Sequence, residues 1–305
     1  MKCRVFNRRA ASCWTGLLLV AFWAVEPLAV QGQTVAPDAV QAQADAKRGA
    51  RSAVGETTGK QCLFIGHSFF IPVARTFQKQ ASDLGIEGHS QKAVFAGGAS
   101  GSPGRLWQSE TKRKAIQKIL DSGDVELLGM TYFNPSNSSL KDYRKWVDYA
   151  LEKNLETEFF IGMPWGLNGP SRSVEAYASQ NARGQKLVYE DIVTKLRELY
   201  PKNKFYWINY GRVAVELKRA HQDESLSMVK QLVARSDADA VFRDKMGHAG
   251  PLTLEMASLI WLSGLYQVSP DDYKWRYKGE QPLESILKKI VEDQKTYNTF
   301  VPDAK

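Results

Sequence analysis

Cys62-Leu63-Phe64-Ile65-Gly66-His67-Ser68-Phe69-Phe70 is the stretch on which the reading of this chain turns. Residues 62–65 are an apolar run of strand length. Gly66 follows, where a sharp bend leaves no room for a side chain, and then comes a serine with two phenylalanines behind it. A serine at a strand-to-helix turn lies under the free N–H groups of the following helix, which point at whatever binds above it. Ser68 is therefore a candidate nucleophile, a helix N-cap being the plainer use of a serine at such a place.

Working outward, strand-like and helix-like segments alternate. The pattern predicts strands over 63–65, 90–95, 125–131, 158–162 and 205–208. Helices are expected over 71–84, 105–120, 140–153, 174–199, across 213–233, and after Pro251. Such alternation argues for an α/β fold, a three-layer α/β/α sandwich with a central parallel sheet, and puts ligands beyond the carboxyl ends of the strands. Ser68, Gly98, Asn134 and Trp165 each follow a predicted strand, so one edge of the sheet would gather them.

Near the other end lies Phe242-Arg243-Asp244-Lys245-Met246-Gly247-His248-Ala249-Gly250-Pro251. The chain has four histidines, and His248 sits in a glycine-rich loop just before an apolar helix, with Asp244 upstream. These are a plausible base and its orienting carboxylate.

Taken in order, these segments resemble the blocks of the SGNH, or GDSL-type, hydrolases over roughly residues 61–267. Gly66-His67-Ser68-Phe69 resembles the nucleophile block, with His67 where the family has an aspartate that is not one of its proton carriers. Ala96-Gly97-Gly98-Ala99-Ser100 is similar to the second block, Gly98 matching its glycine better than Gly97. Met130-Thr131-Tyr132-Phe133-Asn134 stands where the third block supplies an asparagine, with Asn137 as the alternative. Asp244 to His248 resembles the closing Asp-x-x-His with one residue more, Asp239 and Asp237 being the other acidic choices. The resemblance implies a flavodoxin-like α/β/α fold and a triad of Ser68, His248 and Asp244. It also implies an oxyanion hole from the Ser68 and Gly98 N–H groups and the Asn134 amide, and ester hydrolysis without a cofactor or metal. Trp165 belongs to the substrate cleft or to core or rim packing, and an aromatic face, suiting sugars and acyl chains alike, does not choose between those ligands.

The flanks read differently. Residues 1–32, with Lys2, Arg4, Arg8 and Arg9 ahead of an apolar run over 14–25, have the form of a secretory signal. Residues 33–60 are rich in small and polar types, with too little apolar surface to fold alone, and read as a disordered linker. Residues 61–270 make the hydrolase-like domain and 271–305 a C-terminal extension packed on it, Trp275 and Tyr277 tying it down. Of the three cysteines, Cys3 and Cys13 fall in the signal, which leaves Cys62 without a partner and the fold dependent on its core. The protein would then be secreted or periplasmic, with no stable membrane insertion once the signal is removed.

The formal charge is +8, but lysines and arginines are interspersed with acidic and polar residues, as on solvated helix faces. Neither zinc-finger spacing nor a dense basic arm is present, which argues against a nucleic-acid partner. The expectation is a secreted serine esterase acting on carbohydrate O-acyl or small acyl esters. The alternative is a non-catalytic glycan-binding module on the same fold. Hydrogen-bond reach between Ser68 and His248 favours the first, and wide separation the second.

Overall fold

The computed structural model describes residues 57–298. The expected signal and all but the last four residues of the expected linker lie outside them. Those four already belong to the body: Gly59 N–H donates to the Glu87 carbonyl, Lys60 N–H to the Tyr266 hydroxyl, and Lys60 Nζ pairs with Glu158 at 2.8 Å.

Five parallel strands form one sheet, β1 (Gln61–Gly66), β2 (Ser90–Phe95), β3 (Leu127–Thr131), β4 (Glu158–Gly162) and β5 (Phe205–Ile208). Their order is β2-β1-β3-β4-β5. This is the flavodoxin-like order, in which the chain reverses direction across the sheet between β1 and β3. Between the strands run α1 (Ile71–Asp83), α2 (Pro103–Gln108), α3 (Glu110–Leu120), α4 (Leu140–Lys153) and α5 (Val174–Val188). A π-helical turn, Tyr189–Thr194, leads from α5 into α6 (Lys195–Leu199), and α7 (Arg212–Gln222), α8 (Pro251–Tyr266) and α9 (Gln281–Lys295) complete the fold.

Strand alternation explains the layers. Phe64, Leu127, Phe160 and Ile208 face one core cluster, with side chains of α1, α7, α8 and α9. Leu63, Ile65, Leu128, Met130, Phe159, Ile161, Phe205 and Trp207 face the other, with side chains of α3 through α6. Period-two alternation sends neighbouring side chains to opposite faces, and both faces are covered, so β1, β3, β4 and β5 read as continuous apolar runs. Trp261 of α8 fills the middle of the first core, its ring centroid 4.7 Å from both Phe70 and Phe160. Gly129 gives these rings room, since a Cβ there would sit 2.3 Å from Phe64 Cδ1.

The structure departs from the sequence expectations at particular places. The helix expected over 105–120 is broken at Ser109, whose hydroxyl caps α3 through Lys112 N–H. Of the helices expected across 213–233, only α7 forms; beyond Gln222 the chain turns through Glu224 at φ 56°. Helix α9 went unpredicted, although Leu283, Leu287, Ile290, Val291 and Gln294 are its buried face at helical spacing. Beyond residue 270, Trp275, Tyr277, Leu283 and Leu287 are buried in the first core.

The α9 end also closes the sheet. Among the described residues strand β5 has one neighbour, so its outer edge offers backbone groups unpaired by another strand. Asn298 answers them, its Oδ1 accepting from Trp207 N–H at 2.8 Å and its Nδ2 donating to the Trp207 carbonyl at 2.9 Å. Gln294 Oε1 accepts from Asn209 N–H in the same way. Among the described residues, no helix is long and apolar enough to cross a membrane.

Candidate active site

The crevice at the carboxyl ends of β1 and β3 is where the strand order reverses, the usual ligand position in such sheets. A cavity of about 320 Å³ opens there, lined by Ser68, Gly98, Asn134 and Trp165 among others. The expected site residues from the ends of four strands thus meet in one place. A larger cavity of about 530 Å³ lies away from them, between α5, α7 and α9.

Ser68 begins the turn between β1 and α1. Phe70 and Ile71 N–H both donate to the His67 carbonyl, and Phe69 N–H donates to His67 Nδ1 at 3.2 Å. These bonds account for the N–H groups of Phe69, Phe70 and Ile71, while Ser68, whose own N–H has no acceptor among the described residues, lines the cavity. Ser68 Oγ lies 3.1 Å from His248 Nε2, and His248 Nδ1 lies 2.7 Å from Asp244 Oδ2. A carboxylate can only accept, so Nδ1 carries the proton and Nε2 presents its lone pair to the serine hydroxyl.

The extra residue between Asp244 and His248 is absorbed by a tight turn. Gly247 N–H donates to the Asp244 carbonyl and Arg243 N–H to that of His248. Gly247 takes φ +91°, a conformation that side chains resist. Asp244 consequently faces His248 across the turn with both oxygens engaged, Oδ1 accepting His248 N–H at 3.1 Å. Partial burial pushes the Asp244 carboxyl up, but the two hydrogen bonds from His248, with the nearby charges of His248 and Arg243, outweigh it and hold it below the usual range. The alternative acids are occupied elsewhere: Asp239 pairs with Arg276 and accepts from the Tyr277 hydroxyl, and Asp237 accepts Asp239 N–H.

Asn134 lies in the loop after β3. Its Oδ1 accepts from Asn137 N–H at 3.1 Å and Asn137 Nδ2 at 3.2 Å, which identifies that atom as the acceptor and leaves the Nδ2 donors for the cavity. Asn137 is outside the cavity lining; it orients Asn134 and is held in turn by Arg105 Nε at 3.0 Å. Gly98 lines the cavity and Gly97 does not. Gly98 opens a 3₁₀ turn at φ +51° in open space, and the first N–H of such a turn has no acceptor within it. Three donors, the Ser68 and Gly98 N–H groups and the Asn134 amide, therefore border one space.

His67 is more deeply engaged than its sequence position suggested. It is 3% exposed and joins the serine turn to the end of β3. Because Nδ1 accepts Phe69 N–H, Nε2 carries the proton and donates to the Tyr132 carbonyl at 3.1 Å, with Thr131 Oγ1 at 3.2 Å beside it. Burial is the main reason its pKa is pushed down to about 4, outweighing the bond to Tyr132, while the neighbouring His248 lowers it further. His67 is thus a neutral bracket holding the turns that carry Ser68 and Asn134.

Trp165 contributes to the cavity wall but is 2% exposed. Its indole N–H donates to the Gly247 carbonyl at 2.8 Å, and its ring stacks on Phe69 at 5.4 Å. Phe69 in turn meets the His248 ring edge-on at 5.1 Å. Trp165 therefore fixes the loop bearing His248 from below, a contact that spacing along the chain does not reveal.

No family model matches this chain, and no curated protein matches it. Among solved structures it aligns with the periplasmic domain of the Salmonella ser. Paratyphi A lipopolysaccharide acetyltransferase. The alignment has 10% identity over 75% of this chain and 96% of that one, with a TM-score of 0.34. A likeness at that level carries no argument about what this chain does.

Proposed function

We propose that this protein is an exported serine hydrolase of the SGNH type that cleaves carboxylic esters, carbohydrate O-acyl or small acyl esters, through an acyl-enzyme. The observation that supports this most is the continuous hydrogen-bonded line from Ser68 Oγ through the His248 ring to Asp244. Separation of Ser68 from His248 would have favoured a binding module; a 3.1 Å contact favours the enzyme.

The chemistry follows from the tautomer. Ser68 Oγ attacks the ester carbonyl carbon as its proton passes to His248 Nε2, and Asp244 stabilises the imidazolium that forms. The carbonyl oxygen becomes an oxyanion facing the Ser68 and Gly98 N–H groups and Asn134 Nδ2, donors already oriented before the charge develops. Collapse expels the alcohol, which takes the proton from His248, and leaves the acyl group on Ser68 Oγ. Water then attacks the acyl carbon while His248 accepts its proton, and release of the carboxylic acid restores the serine.

The test is turnover of short acyl esters and O-acetylated sugars by the exported domain and its Ser68→Ala and His248→Ala variants. The reading expects each variant to lose about a millionfold in kcat, since the pair acts as a unit. Equal turnover by wild type and Ser68→Ala would overturn it.

A further inference from the structure

The cavity beside Ser68 has an asymmetric charge. No aspartate or glutamate lines it, and Arg172 is its one full cation among the described residues. The Arg172 side chain is held at its root, where Nε–H donates to the Leu167 carbonyl at 3.2 Å. Its terminal Nη1 and Nη2 groups make no ion pair or hydrogen bond among the described residues, which leaves a planar two-pronged donor at the cavity.

The loop that carries it is fixed on three sides. Lys218 of α7, 6% exposed, donates to the carbonyls of Gly169 and Pro170, both at 3.0 Å. Asn168 N–H donates to the Met246 carbonyl in the turn bearing His248, and the Tyr177 hydroxyl donates to the Gly166 carbonyl. Among the described residues Lys218 has backbone carbonyls and no carboxylate for partners, so a second positive charge without a counter-ion there stands behind the same loop. A cleft lined by one sign of charge concentrates ligands of the other. In the same wall, Gln180 Oε1 is shielded from solvent and has no donor among the described residues.

We infer that the site takes esters bearing a carboxylate close to the ester group, with the Arg172 Nη1 and Nη2 donors gripping the two carboxylate oxygens. A guanidinium matches a carboxylate in plane and in spacing, as an ammonium does not. The carboxylate belongs either to the alcohol side, as in an O-acetylated sugar acid, or to the acyl side, as in a half-ester of a dicarboxylic acid. This inference rests on Ser68 being the nucleophile, because it defines the group that Arg172 places before that serine.

The experiment compares kcat/KM within two matched pairs. One is O-acetylated methyl glucuronoside against O-acetylated methyl glucoside; the other is 4-nitrophenyl hemisuccinate against 4-nitrophenyl butyrate. Wild type is expected to prefer the carboxylate member of one pair by about 10- to 100-fold, the range of a charge-assisted hydrogen-bonded pair, and the pair that responds identifies the side. Arg172→Gln should bring that ratio close to unity and Arg172→Lys should restore part of it. Arg183→Gln, which removes an exposed cation of α5 outside the cavity lining, should keep it. No preference in either pair, or a preference that survives Arg172→Gln, overturns the inference while leaving the esterase reading intact.

Binding separates the two ideas. If no ester is turned over, titration of the Ser68→Ala protein with methyl glucuronoside, succinate and methyl glucoside decides. Preferential carboxylate binding that Arg172→Gln abolishes upholds the anion site and sinks the hydrolase, and binding of none of them sinks both.

Discussion

Acidification should weaken this protein through His67, and the size of the effect follows from its burial. In the unfolded chain the imidazole titrates near its ordinary 6.5; in the fold, burial pushes it down to about 4. A histidine with a depressed pKa is protonated more readily when unfolded, so stability is complete above the unfolded value and is lost as pH falls from 6.5 towards 4. The full loss is roughly 3 kcal/mol, from about 2.5 pK units at 1.36 kcal/mol each. At pH 5, where the window is partly crossed, it is about 2 kcal/mol relative to pH 7.5. Protonation would put a second proton on Nδ1, opposing the Phe69 N–H that it now accepts. The bracket beneath Ser68 would open as it destabilised the fold. Urea unfolding at pH 7.5 and pH 5, on wild type and His67→Asn, isolates this contribution from those of other groups such as His89, whose burial also lowers its pKa. The variant should be less stable than wild type at pH 7.5, with a pH-dependent loss smaller by about 2 kcal/mol. An identical loss in both proteins would refute the assignment of His67 as a buried neutral bracket.

Three further outcomes follow from the same contacts. Asn134→Ala removes one side-chain donor and should lower kcat by about 100- to 1000-fold with KM nearly unchanged, read by steady-state kinetics on a short acyl ester. Asp244→Asn keeps an oxygen for the His248 N–H but turns an amide donor towards Nδ1, favouring the wrong imidazole tautomer; kcat should fall by about 1000- to 10,000-fold. Asn298→Ala leaves the Trp207 N–H and carbonyl at the β5 edge without their partner and should destabilise the fold by about 2 kcal/mol in denaturant titration, with the catalytic rate unaltered.

Much of the fold was legible because both faces of the sheet are covered. Residues of β1, β3, β4 and β5 are buried on each side, so these strands are unbroken apolar runs bounded by turns, and the chain order of the site blocks follows from them. That Ser68, Gly98 and Asn134 would gather at one cavity was readable for a related reason: each sits in the loop after a strand of one parallel sheet, where glycine and small polar residues fit the turn. The rest depended on contacts between distant segments. The extra residue between Asp244 and His248 is accommodated by Gly247 at φ +91°, a backbone conformation that spacing along the chain does not reveal. His67 could not be read as a bracket because its partner is a backbone carbonyl at the end of β3, and backbone groups leave no mark in a sequence. The same holds for Trp165 and the Gly247 carbonyl. Helix α9 had a signal in the helical spacing of its buried residues, Leu283, Leu287, Ile290, Val291 and Gln294. Its amide caps on β5 carry no pattern at all, since an asparagine covering a strand edge resembles any other polar residue.

The central claim is that Ser68 is an activated nucleophile, and covalent labelling tests it most directly. The exported domain and its Ser68→Ala variant would be treated with a fluorophosphonate probe and the adduct located by peptide mass spectrometry. The account predicts one adduct, on Ser68, absent from the variant and from unfolded protein. A folded wild-type protein that stays unlabelled, or carries its adduct on another residue, would contradict it.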